Sequence, residues 1–224
     1  MIKNCNFTNN SAPFGAGLSV FFQGHTVNNR VSVVDSKFCS NWASVSGGGA
    51  NVGLGKLHNF FHDNQRWKNY GVSFERTVFE RNTARYGGGI SVHALHSEFK
   101  TKSGELIHFK NCNWLENFGK YSPAVDISPF RFDQLKKGLL PIPKFTDCSF
   151  VNNVLIYKTN KGTTFPYSGV FVVSLFTVHF SGTINFEKNK YSAFYMTSGR
   201  AIFESGAHVC YHSNIGIKGA AIAL

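Results

Sequence analysis

Phe79-Glu80-Arg81-Asn82, followed after four residues by Gly87-Gly88-Gly89-Ile90-Ser91-Val92, decides the fold, because the same two elements return along the whole chain. An aromatic-x-x-Asn piece stands at Phe7/Asn10, Phe38/Asn41, Phe79/Asn82, Trp114/Asn117, Phe150/Asn153, Phe186/Asn189 and Tyr211/Asn214. A run of small residues leading into an apolar stretch follows it at Gly15-Ala16-Gly17-Leu18, Gly47-Gly48-Gly49-Ala50 and Gly87-Gly88-Gly89-Ile90. The run weakens to Ser122-Pro123-Ala124-Val125 in the fourth repeat. In the fifth and sixth its best counterparts are Gly169-Val170-Phe171-Val172-Val173 and Ser192-Ala193-Phe194-Tyr195-Met196, and it returns at Gly219-Ala220-Ala221-Ile222. Self-similarity of this kind marks a stacked array, in which each unit buries its apolar side against its neighbours.

Each repeat reads as strand, Asn turn, Gly turn, strand. The stretch before each aromatic alternates in polarity, as in Val31 to Phe38 and Ile107 to Trp114, which is the period of a half-buried strand. The motif aromatics are 31, 41, 35, 36, 36 and 25 residues apart. The shortest spacing is about one coil of a β-solenoid. The longer ones hold insertions at 21–30, 53–70, 93–105, 128–143 and 154–166, which this reading places at one position of the repeat and hence on one edge. The expected fold is all-β: a single-stranded right-handed parallel β-helix of about seven rungs, one domain over residues 1–224. At ~4.8 Å per rung the rod would be roughly 34 Å long. The motif aromatics and asparagines are its expected ladder. The Asn should tolerate left-handed turn geometry and bond the neighbouring coil, and the glycines should permit a tight corner.

Composition agrees. The 224 residues include 23 Phe and 22 Gly, with only 16% charged, so aromatic and turn-forming residues dominate over helix formers. The F-x-x-N and G-G-A-[ILV] pattern resembles the repeats of the chlamydial polymorphic outer-membrane proteins, and right-handed β-helix domains in large surface proteins of simple animals and protists. The resemblance covers Phe7 to Leu224. It implies an extracellular or cell-surface location and an adhesin-like or passenger role. Autotransport does not carry over, because this sequence holds no translocator barrel. Both ends fall inside a repeat, so the expectation is a segment of a longer solenoid, with any signal or anchor outside it.

The net charge of +11 favours acidic partners. The cations are dispersed, with no run of five, so no specific nucleic-acid partner is expected. No apolar run long enough for a transmembrane helix occurs. The expected binding sites are the basic and aromatic insertions. The richest carries Lys56, His58, Phe61, His62, Arg66, Trp67, Lys68 and Tyr70, and a second carries Phe130, Arg131, Lys136 and Lys137. Cations beside aromatics suit an acidic glycan or a protein surface. The plainer alternative is that these aromatics simply cover the flank of the solenoid.

Other chemistries find less support. His58/His62 and His93/His96 have helical spacing that suits a metal, but Asp63 is the only nearby third ligand, so no metal or cofactor is expected. Parallel β-helices also house carbohydrate-active lyases and hydrolases, which need paired carboxylates or a calcium-binding acidic cluster. Among twelve acidic residues, Asp35, Asp126 and Asp147 read as lying in different parts of the repeat, and Glu80, Glu116 and Glu187 as solvated turn residues. A non-enzymatic role is therefore expected, with a carbohydrate-active enzyme as the alternative. Cys5, Cys112 and Cys148 stand two residues before the motif aromatic, as a row of free buried thiols or, for the last two, a disulfide. Two sequons, Asn6-Phe7-Thr8 and Asn9-Asn10-Ser11, overlap the first motif.

Overall fold

A computed structural model describes residues 1–22, 30–54, 71–94, 107–129, 142–156, 169–174, 176–197, 199–215 and 222–223. Among these residues there is no helix, and every strand pairing is parallel. The strands form three sheets of 12, 5 and 7 strands, here sheets 1, 2 and 3. The third repeat shows the path. Gly71–Glu75 and Val78–Glu80 lie in sheet 1, Thr83–Tyr86 in sheet 2 and Ile90–Ala94 in sheet 3. Equivalent segments of successive repeats are neighbours in every sheet. Phe79 pairs with Phe38 and Trp114, and Val92 with Val52 and Ile127. The architecture is thus all-β with stacked parallel sheets, as a parallel β-helix requires.

The degenerate repeats keep the register that the sequence indicated. Phe171 pairs with Val125 and with Phe194, and Phe194 pairs with Ile222. The alternating stretch is two short strands in the early repeats, for example Arg30–Val34 and Lys37–Cys39. It is a single one in Pro143–Val151 and Thr177–Glu187.

Two columns of rings fill the interior. The motif aromatics stack from Phe7 through Phe38, Phe79, Trp114, Phe150 and Phe186 to Tyr211, with centroids 4.6–5.3 Å apart and planes within 14°. A second column, Phe74, Phe109, Phe145 and Phe180, comes from the preceding strand segment and ends on the exposed Phe203. The two meet edge to face at Phe74–Phe79 and Phe109–Trp114. Such pairs contribute about 0.5–1.5 kcal/mol each beyond area burial.

The Asn turn works differently from the expectation. The left-handed residue is the one before the Asn: Asn9, Ser40, Arg81, Glu116, Asn152, Lys188 and Ser213 have φ between 50° and 57°. The motif Asn is thereby turned inward, and its amide builds a ladder. The Asn82 Nδ2 donates to the Phe38 carbonyl (2.9 Å) and to Asn117 Oδ1 (3.1 Å), while its Oδ1 accepts from the Asn41 backbone N–H and side chain. The pattern runs unbroken from Asn10 to Asn214. Asn41, Asn82, Asn117, Asn153 and Asn189 are buried, so the ladder satisfies polar groups that water cannot reach.

The Gly corner relies on backbone. Gly47 and Gly87 take left-handed φ values of 67° and 58°. A Cβ on Gly49 would sit 2.5 Å from the Gly89 carbonyl and 2.8 Å from the Phe79 ring. Corner hydrogen bonds run amide to carbonyl from coil to coil, as in Gly49 to Gly88 and Ala50 to Gly89.

Candidate functional site

The expected binding residues Lys56, His58, Phe61, His62, Arg66, Trp67, Lys68, Tyr70, Phe130, Arg131, Lys136 and Lys137 all lie outside the described residues. What is described is where the chain leaves the sheets. Strands of sheet 3 end at Phe22, Leu54, Ala94 and Pro129, and the chain re-enters sheet 1 at Arg30, Gly71, Ile107 and Pro143. Four insertions therefore leave from one corner in four successive coils. The fifth does not. Val154–Leu155 is a strand of sheet 2, and 157–168 connects it to Phe171–Ser174 of sheet 3. The expectation of one common position fails there because the faded glycine run hid which corner precedes Gly169.

The outer face of sheet 2 brings together cations and aromatics that sequence reasoning missed. The Arg85 guanidinium lies 5.5 Å from the centroids of both Tyr86 and Tyr121, which stack on each other at 4.7 Å. Lys120 Nζ is 5.4 Å from the Tyr121 ring. Trp42, in the neighbouring strand, is 52% exposed, while Ala43, Ala84 and Gly119 between these positions are buried. Ala43, Ala84 and Gly119 thus face inward, and the register shift between Ala84 and Tyr86 keeps the consecutive pairs Arg85–Tyr86 and Lys120–Tyr121 both off the interior. The strands of this sheet contain no Asp or Glu. The signal available in the sequence was that absence of acid between the Asn and Gly corners.

Sheet 1 is the opposite. Asp35 pairs with Arg76 at 2.6 Å, and Glu80 with Lys37 and Arg81 at 2.5 Å each. Glu116 meets Arg81, Glu187 meets Lys188, and Glu204 meets Lys144. The Lys37 ammonium beside Glu80 holds its carboxyl below the usual range. Glu80 is a strand residue with a side chain only 13% exposed, so the solvated-turn reading fails for it and holds for Glu116. Asp35 and Asp147 share one position rather than two. Both are left-handed residues three before the motif aromatic.

A buried polar cluster sits on sheet 3 across the Gly corner. Ser122 and Ser128 donate to the two oxygens of Asp126 at 3.2 and 2.7 Å. His93 Nε2 lies 2.7 Å from Ser91 Oγ and 3.1 Å from Ser46 Oγ, and Ser46 donates to Asn51. Burial drives the Asp126 carboxyl up and the His93 imidazole down, which favours a neutral cluster. Ser91 is fully buried, so its hydroxyl serves the interior network. His93 is a strand residue, and His96, His58 and His62 lie outside the described residues. No group of three metal-ligating side chains occurs among the described residues.

All five cysteines are free. The Cys112 thiol donates to the carbonyls of Phe74 and Lys110, and Cys148 makes the equivalent contacts with Phe109 and Thr146. Ser36 and Thr77 fill the same position with hydroxyls. This row therefore caps the turn before the motif, and burial pushes the Cys112 thiol up to about 12. No helix among the described residues is long and apolar enough to cross a membrane. The chain matches no family model, no curated protein and no solved structure.

Proposed function

We propose that the chain is a segment of a right-handed parallel β-helix of about seven rungs in a secreted or cell-surface protein. Its role is non-enzymatic: it displays its insertions to an acidic glycan or protein partner. The observation that carries the reading is the exit of four insertions from one corner in four successive coils, above a scaffold whose side-chain ladder is continuous. Rigid stacking with variation confined to one edge is how solenoids build extended binding surfaces. The resemblance to polymorphic outer-membrane protein repeats supports the same location and role. The test is retention of the intact chain on a panel of glycans and candidate surface proteins, beside variants in which 55–70 and 130–141 are replaced by short Gly-Ser links. Loss of binding in the shortened variants, with an unchanged melting temperature, is expected. Full binding without either insertion would overturn the display reading.

A further inference from the structure

We propose that the outer face of sheet 2 is a second binding surface, built for an acidic polysaccharide and separate from the insertion edge. Three independent observations point to it. First, charge is segregated. Among the described residues the carboxylates belong to sheet 1 and its turns, apart from the buried Asp126, and the strands of sheet 2 carry none. Arg76 and Arg81, in the turns of sheet 1, are tied to carboxylates, whereas Arg85 rests on two tyrosine rings and donates to the Tyr121 hydroxyl, with no ion pair among the described residues. No described carboxylate cancels its positive field. Second, the aromatics are held in place. Tyr86 and Tyr121 stack on each other beneath Arg85, so the guanidinium is fixed before any ligand arrives, which lowers the ordering cost of binding. Third, Trp42 leaves half of its indole in solvent on the same sheet.

This chemistry recognises a sugar polymer that carries sulfate or carboxylate groups. The guanidinium of Arg85 offers paired donors to a planar carboxylate or a sulfate, and Lys120 adds a point charge in the next coil. The Trp42 ring accepts the apolar face of a pyranose. Neighbouring coils are ~4.8 Å apart, so a chain laid parallel to the axis meets the two cations in two successive coils. A nucleic acid is less well served. A single strand needs several ring platforms and a groove that follows its backbone, and this face offers one half-exposed indole.

The experiment measures binding of the intact protein to a heparin oligosaccharide, an uncharged dextran of equal size and a single-stranded oligonucleotide, over a range of salt. Arg85→Ala with Lys120→Ala should weaken heparin binding at least ten-fold and make its salt dependence shallower. Trp42→Ala should weaken it several-fold with the salt dependence kept. Dextran should not bind. All three substitutions are on the surface, and unchanged melting confirms that the fold persists. Heparin binding untouched by these variants but lost on Lys136→Ala with Lys137→Ala would overturn this site and leave the display function standing. Failure of the intact protein to bind heparin, or tighter binding to the oligonucleotide, would overturn it as well. Neither of those two results would touch protein binding through the insertions.

Discussion

The two corners of each coil solve the same problem in different ways, and their histories differ accordingly. At the Asn corner the bonds between coils run through a side chain. Each buried amide both donates to and accepts from its neighbours. At the Gly corner the bonds run from backbone to backbone, and they continue where the glycines are gone. The Ala124 amide donates to the Val170 carbonyl, and the Val170 amide to Ser192. A ladder made of side chains cannot lose a rung without orphaning its neighbours. A ladder made of backbone needs only a residue that fits. This explains why the aromatic-Asn motif persists in all seven repeats while the glycine run fades in the fifth and sixth.

The largest effect should come from cutting the side-chain ladder. Asn82→Ala strips partners from the buried Asn41 N–H and from the Phe38 carbonyl. At about 1–3 kcal/mol for each group left unpaired, the loss in urea unfolding should be about 4 kcal/mol. Asn82→Asp should be no better, because a carboxylate cannot donate to Phe38 or Asn117. Phe79→Ala should cost a comparable amount, about 3–5 kcal/mol, by opening a gap between stacked rings.

Next comes overfilling the Gly corner. Gly49→Ala drives a methyl into the Gly89 carbonyl and the Phe79 ring and should cost about 1–3 kcal/mol. The reverse change at the equivalent position of a later coil, Ala124→Gly, should cost only about 0.5–1 kcal/mol. If the two changes prove equal, the corner is not being held by fit.

Smaller still is the pH response of the cluster that spans the Gly corner. Burial lowers the His93 value from 6.5, so the unfolded chain takes up the proton more readily. Stability from this group is present above pH 6.5 and is lost as the pH falls through the folded value. Between pH 7.5 and 5.5 the melting temperature of the natural sequence should fall relative to that of His93→Gln. Asp126 acts in the opposite sense. Its raised value makes its contribution complete below 3.8 and lost as pH rises through the folded value.

The smallest effect is expected at Trp114, whose buried indole N–H has no hydrogen-bond partner among the described residues. Trp114→Phe removes that orphan and restores the ring type of the neighbouring rungs. The change in unfolding free energy should fall within about 1 kcal/mol of zero, lost contact area offsetting the relieved N–H.

Much of this was legible in the sequence, and the reasons for the rest are physical. Ring and asparagine positions could be read because stacking demands the same residue type at the same place in every coil. The left-handed turn residue could not, because its side chain points to solvent and any of Asn, Ser, Arg, Glu or Lys serves there. Phe74, Phe109 and Phe145 were visible as members of alternating strands, but their union into a second column depends on register. The cationic face of sheet 2 depends on which residues share a side, a one-residue phase that composition cannot supply. The fifth insertion was misplaced because Val170 stands where earlier coils have glycine.

The central claim is that the asparagine side chains are the acceptors that close each coil onto the next. Backbone amide exchange followed residue by residue tests it most directly, because the N–H groups of Asn41, Asn82, Asn117 and Asn153 donate to side-chain oxygens. These amides should exchange as slowly as those of the core strands. The Asn41 amide alone among them should speed up in Asn82→Ala under conditions where that variant remains folded. Exchange of all four as fast as free turn amides in the natural sequence would contradict the account.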